Sequence, residues 1–142
     1  VLMVYIDTSV LVAYYCPEAM SNQVENILIN TNRPAISQLT EVELASALAR
    51  KIRERTLAQE DGREILSLFR NHIDQKSYTH LPIQPSHYST AWSWISQFNT
   101  PLRTLDALHL AIAAKNNVPI LTADVKFANS ANILGVEANL IS

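Results

Sequence analysis

Apolar residues open the chain as an unbroken run, Leu2-Met-Val-Tyr-Ile6, the pattern of a strand buried on both faces. Asp7-Thr8-Ser9 then supplies helix-start chemistry, and a helix is predicted up to the Cys16-Pro17 stop. Residues 21–29 read as a second helix, with Val24, Ile27 and Leu28 on one face, and residues 34–37 as a short strand. From Thr40 the spacing turns helical, with Leu44, Leu48 and Ile52 in line. Residues 58–72 predict another helix, carrying Ile65, Leu68 and Phe69, and residues 78–83 a strand closed by Pro85. Tyr88, Ala91, Trp92, Ile95 and Phe98 repeat with helical period and stop before Pro101. On that stripe Trp92 is expected in the core and Trp94 off it. Residues 104–115 (helix), 118–121 (strand), 125–134 (helix ended by Gly135) and 136–141 (strand) complete the series. Strands alternate with helices and no hairpin signal intervenes. The expectation is a single α/β domain spanning 1–142 with a parallel sheet.

Composition sharpens this picture. The chain has 142 residues, 48% hydrophobic and 17% charged, which suits one domain with a real core and excludes disorder. Its single cysteine, Cys16, rules out a disulfide framework and is read as a small apolar filler, with a cytoplasmic setting expected. No apolar run approaches the ~18 residues of a membrane span, and no secretory leader is evident. Net charge is −2, so nucleic acid cannot be held by bulk charge, only by a local patch or by bound cations. Seven of the eleven Lys and Arg fall between residues 50 and 76, against five acids, with Arg50, Lys51, Arg53 and Arg55 at the dense end. That end is either a patch for an anionic partner such as nucleic acid or the solvated tail of an amphipathic helix.

Ligands of an open parallel sheet collect at the carboxyl ends of its strands. Asp7 directly follows the first strand, Asp124 follows the fourth, and Glu43 lies near the start of the helix after the second. Asp106 opens a helix that runs back to feed the fourth strand, so it too belongs at that edge. Each acid also has a local use: Asp7 and Asp124 as N-caps, Glu43 in a Thr40-x-x-Glu43 capping box, Asp106 as a complement to the helix dipole. Together they are harder to explain locally, because two bare carboxylates ~4 Å apart repel by about 1–4 kcal/mol. A hard divalent cation reverses that term, so the cluster implies Mg²⁺ or Mn²⁺ and suits phosphodiester hydrolysis. Thr8, Ser9 and Thr122 are placed to orient carboxylates or waters around it, or to act as local caps.

These residues carry a family resemblance. Tyr5-Ile-Asp7-Thr-Ser-Val-Leu, Ile36-Ser-Gln-Leu-Thr-Glu-Val-Glu43-Leu, Leu105-Asp106-Ala-Leu-His-Leu-Ala111 and Leu121-Thr-Ala-Asp124 occur in the order found in PIN-domain ribonucleases. The chain most closely resembles the VapC-type toxins of toxin–antitoxin pairs, although residues 58–100 carry no motif. The resemblance implies a three-layer α/β/α fold around a mainly parallel sheet of four to five strands, and metal-dependent cleavage of single-stranded or loop RNA, with Asp7, Glu43, Asp106 and Asp124 as catalytic and metal-binding acids. It also implies a homodimer and a cognate antitoxin protein. Glu41, two positions from Glu43, is the register competitor. His109, three residues after Asp106, is expected to pack or hydrogen-bond rather than ligate, and His72, His80 and His87 share no ligand spacing.

Two other readings stand beside this one. Asp7 could be the nucleophile of a haloacid-dehalogenase-like phosphatase, but that motif wants an acid where Ser9 stands. A catalytically inactive domain that binds nucleic acid or protein through its acidic edge is the other.

Overall fold

The computed structural model describes residues 3–141. Five strands, β1 (Met3–Ile6), β2 (Arg33–Ile36), β3 (Thr79–His80), β4 (Ile120–Thr122) and β5 (Ala138–Leu140), form one sheet in the order β3-β2-β1-β4-β5. Every pairing is parallel, with Tyr5 opposite Ala35 on one side and Ile120 on the other. The chain leaves β1 toward β2 and later returns to its other side with β4. This switch in direction opens a crevice above the carboxyl end of β1.

Alternation along the strands splits the core in two. Ile6, Ile36 and Leu121 pack on one face with Val10 and Leu11 of α1 (Thr8–Tyr15), Val24 of α2 (Ser21–Ile29), Leu44 and Leu48 of α3 (Gln38–Arg53) and Phe69 of α4 (Gln59–Asp74). Tyr5, Ala35 and Ile120 face the other way, toward Leu110 and Ile112 of α6 (Thr104–Lys115) and Phe127 and Ala131 of α7 (Val125–Ile133). Helix α5 (Pro85–Ile95) lies against α6, where Ala91 meets Ala107 and Leu108. The result is the expected α/β/α sandwich. Among the described residues no helix is long and apolar enough to cross a membrane.

Local chemistry explains most boundaries. Seven consecutive residues of α6, Ala107 to Ala113, are buried, so this helix has no polar face and occupies the centre of its layer. Helix α7 gives way to Gly135 at φ 76°, a left-handed turn that glycine adopts without strain. Strand β3 is shorter than the expected 78–83. It sits at the sheet edge, and its pairing ends where β2 does, because after Leu81 N–H donates to Ile36 O at 2.8 Å the chain of β2 turns at Ser37 into α3. Leu2, expected in the first strand, lies outside the described residues.

Two expectations are corrected. Helix α3 starts at Gln38 and its capping box joins Ser37 to Thr40, with the Ser37 N–H donating to Thr40 Oγ1 at 3.2 Å. Glu43 is therefore one turn further in and has no capping duty. Trp92 is 74% exposed, whereas Trp94 packs against the core on the α6 side. The Ala91–Ala107 contact draws α5 close to α6, and the bulky flank of the stripe is left in solvent.

Candidate active site at the carboxyl edge of the sheet

Asp7 ends β1 and occupies the N-cap position of α1, yet its side chain caps nothing. The carboxylate is instead held sideways: Ser9 Oγ donates to Asp7 Oδ2 at 2.7 Å and Thr122 Oγ1 to the same oxygen at 2.8 Å. Ser9 also accepts from the Ala123 N–H at 3.1 Å, which ties the β4 end to α1. Asp7 is only 8% exposed.

Glu43 reaches the edge from α3. Thr8 Oγ1 donates to its Oε1 at 2.7 Å, and His109 Nε2 of α6 meets the same oxygen. His109 is itself buried, with Tyr5 Oη at 2.7 Å from Nδ1. Burial pushes the Glu43 carboxyl up, but the hydrogen bonds from His109 and the Thr8 hydroxyl outweigh it, so the carboxyl sits below its ordinary range. Glu41, by contrast, points away and pairs with Arg70 at 3.2 Å and His80 at 2.7 Å.

Asp106 lies in the first turn of α6 and feels the opposite pressure. Burial raises its pKa, Asp7 raises it further, His109 works against this, and Asp124 and Glu43 add to the rise. Asp124 N-caps α7 through Oδ1, which accepts the Phe127 N–H at 3.2 Å, while its own N–H donates to Thr122 Oγ1 at 3.0 Å. The local use expected of Asp124 is thus real, and that of Asp7 is not.

The hydrogen bonds share one asymmetry. Both donors to Asp7 end on Oδ2, both donors to Glu43 end on Oε1, and the cap of Asp124 uses Oδ1. The second oxygen of each carboxylate is left without a hydrogen bond among the described residues. Such hard, pre-oriented, anionic oxygens are the donor type that Mg²⁺ and Mn²⁺ prefer. Among the described residues, however, no three histidine, cysteine or carboxylate side chains already stand grouped as a metal site.

Two cations were absent from the sequence-based expectations. Arg103 and Lys126 line a cleft of about 310 Å³ together with Asp106 and Asp124. Their signal was only proximity: each lies within three residues of a candidate acid. The cluster at 50–55 is differently disposed. It ends α3, and ten residues of helix from Glu43 to Arg53 span ~15 Å. Arg50 pairs with Glu54 at 3.2 Å and Lys51 with Glu18 at 3.1 Å, while Arg55 terminates the helix at φ 61°. The other histidines are spoken for as well, His72 by the Tyr15 hydroxyl at 2.7 Å and His87 by the Gln84 N–H at 2.9 Å.

Acids placed along the carboxyl edge of a parallel sheet, beside its switch point, put the candidate site where α/β proteins of this class bind their ligands. The PIN domain family matches residues 4–133, and the chain belongs to that family. No curated protein matches its sequence. Among solved structures, VapBC from Salmonella typhimurium bound to DNA is similar at 15% identity and a TM-score of 0.72, with 98% of each chain covered. VapBC2 from Rickettsia felis, bound to a DNA fragment from its promoter, is similar at 15% identity and 0.71, covering 99% of this chain and 100% of that one. VapC20 of Mycobacterium tuberculosis, a sarcin-ricin loop cleaving toxin, is similar at 14% identity and 0.71, covering 89% and 94%. At these identities the likeness is one of fold.

Proposed function

We propose that this PIN domain is a divalent-metal-dependent endoribonuclease that hydrolyses phosphodiester bonds in single-stranded or loop RNA, and that it is the toxin of a toxin–antitoxin pair. The observation that carries the reading is the asymmetry of the carboxylates: each of Asp7, Glu43 and Asp124 is held through one oxygen with the other left open. Asp106 adds a fourth carboxylate in the field of those three. These four acids would hold Mg²⁺ or Mn²⁺. When bound, the cation would polarise the scissile phosphate and offset the negative charge that builds up as the P–O bond breaks.

The remaining residues position substrate and acids. Ser9 and Thr122 fix Asp7, and Thr8 fixes Glu43, so that little reorganisation is needed when RNA arrives. Arg103 and Lys126, beside Asp106 and Asp124, supply positive charge for the RNA backbone that the chain's net −2 lacks. Arg50, Lys51, Arg53 and Arg55 form an outer contact, weakened by the Glu54 and Glu18 pairings.

The partner assignments have separate support. Tyr88, Trp92 and Phe98 are 57%, 74% and 89% exposed along α5 and its end, beside a groove of about 600 Å³ that also includes Ile95 and Leu108. Bare aromatics on this scale suit a subunit contact, and a second copy of the chain is the occupant we assign. An antitoxin partner rests on the fold shared with the VapBC complexes, and a cytoplasmic setting on Cys16, a buried free thiol.

The test is cleavage of a panel of tRNAs and unstructured RNAs by purified protein with Mg²⁺, Mn²⁺ or EDTA. The reading expects cleavage only with metal. Equal cleavage in EDTA contradicts it, as does an inert protein that fails to bind Mn²⁺.

A further inference from the structure

Tyr5 and His109 form a buried polar chain that leads to Glu43 from inside the protein. Tyr5 is 0% exposed on β1 and His109 1% exposed on α6, with ring centroids 5.5 Å apart. Tyr5 Oη lies 2.8 Å from Ser37 Oγ, 3.3 Å from Thr40 Oγ1 and 2.7 Å from His109 Nδ1. A phenol has one proton to give, and the Ser37 and Thr40 hydroxyls each bring their own. The arrangement that satisfies all partners has those hydroxyls donating to Tyr5 and Tyr5 donating to His109 Nδ1. With Nδ1 an acceptor, the ring's proton lies on Nε2, where Glu43 Oε1 accepts it.

We infer that His109 is the positioning residue for Glu43, aligned in turn by the Tyr5 hydroxyl. This rests on the reading of Glu43 as a metal-binding acid. Such a residue holds its carboxylate through Oε1, leaves Oε2 without a hydrogen bond, and never touches RNA. The arrangement also gives α6 two tasks at i, i+3 spacing: it presents Asp106 and secures the acid of α3. Packing alone would not need a hydroxyl at Tyr5, since phenylalanine fills the same ring volume.

Two readouts test it on the full chain. First, ¹H–¹⁵N correlation spectra of ¹⁵N-histidine-labelled protein, with His109 assigned by its loss in His109→Gln, report which ring nitrogen is protonated. The proton is expected on Nε2, and Tyr5→Phe should move the Nδ1 signal to that of an acceptor without a donor. A proton on Nδ1, or a spectrum unchanged by Tyr5→Phe, overturns the inference. Second, Mn²⁺ affinity measured by calorimetry should fall ~10–100-fold in His109→Ala, with a matching loss of kcat on RNA at similar KM. His109→Gln, whose amide can donate toward Glu43, should recover most of it. Equal defects in the two variants overturn the positioning role, and because Tyr5→Phe and His109→Gln keep the core filled, the test survives if His109→Ala fails to fold. Should the wild-type protein neither bind Mn²⁺ nor cleave RNA, the nuclease reading fails, while the spectra still decide whether His109 aligns Glu43.

Discussion

Glu43 and Asp106 carry the same charge at the same sheet edge, and their surroundings treat them in opposite ways. Glu43 has two donors on one oxygen, and its ionised form is favoured. Asp106 is half-buried among Asp7, Asp124 and Glu43, and its ionised form is penalised. One carboxylate therefore supports the fold and the other strains it. Strain of that kind persists only where something else profits from the charge, and a site meant to receive a cation is such a case.

The comparison can be broken most severely at its centre. Asp7→Asn and Asp106→Asn should each abolish metal-dependent RNA cleavage while circular dichroism shows the fold intact, and full activity in either variant would remove that residue from the site. Next in size is Glu43→Ala. It strips two hydrogen bonds from a largely buried carboxylate and leaves His109 Nε2 without its acceptor, which should cost about 1.5–3 kcal/mol of stability at neutral pH. The pKa of Glu43 is lowered in the fold, so its contribution is present above the ordinary carboxylate value of ~4.3 and is lost as pH falls through the folded value. The deficit of Glu43→Ala should accordingly shrink in acid. A deficit that is constant with pH would assign the loss to packing.

Asp106→Asn should move stability the other way. A raised folded pKa means that this carboxyl favours folding below its ordinary range and opposes it as pH rises through the raised value. Neutralising it should thus raise Tm by about 2 °C at pH 7, with the gain vanishing in acid. Saturating Mg²⁺ should give the wild type the same kind of stabilisation, ~2.7 kcal/mol at 100 times Kd, and give the variant less. The smallest expected effect concerns RNA binding. Arg103→Gln and Lys126→Gln should each lower the log–log salt slope by about 1, more than neutralising Arg50 and Lys51 together. The reverse order would move the RNA path to the end of α3.

What the sequence made legible follows from how local the cause was. The parallel sheet and its helices could be read because β1 is uniformly apolar and because Pro17 and Gly135 punctuate helix ends. The placement of Asp7, Glu43, Asp106 and Asp124 toward one edge follows from the shared strand direction, which the alternation of elements implies. Glu43 rather than Glu41 was a question of register, and the structure turns Glu41 onto Arg70 and His80. The Thr40 capping box was misread because Ser37 offers the same chemistry three residues earlier and wins by sitting at the end of β2. Trp92 and Trp94 exchanged places because periodicity identifies an apolar stripe but not which part of it a neighbour covers; the Ala91–Ala107 contact decides that. The Tyr5–His109–Glu43 chain spans 104 residues of sequence between its first two members, and no local pattern records it.

The most direct test pairs two measurements on one preparation of Asp106→Asn: cleavage of the RNA panel with Mg²⁺, and Tm at pH 7. A site that holds a cation at the expense of the fold predicts that cleavage is lost and Tm rises. Cleavage retained, or cleavage lost together with a fall in Tm, would contradict it, because Asp106 would then be dispensable or merely structural.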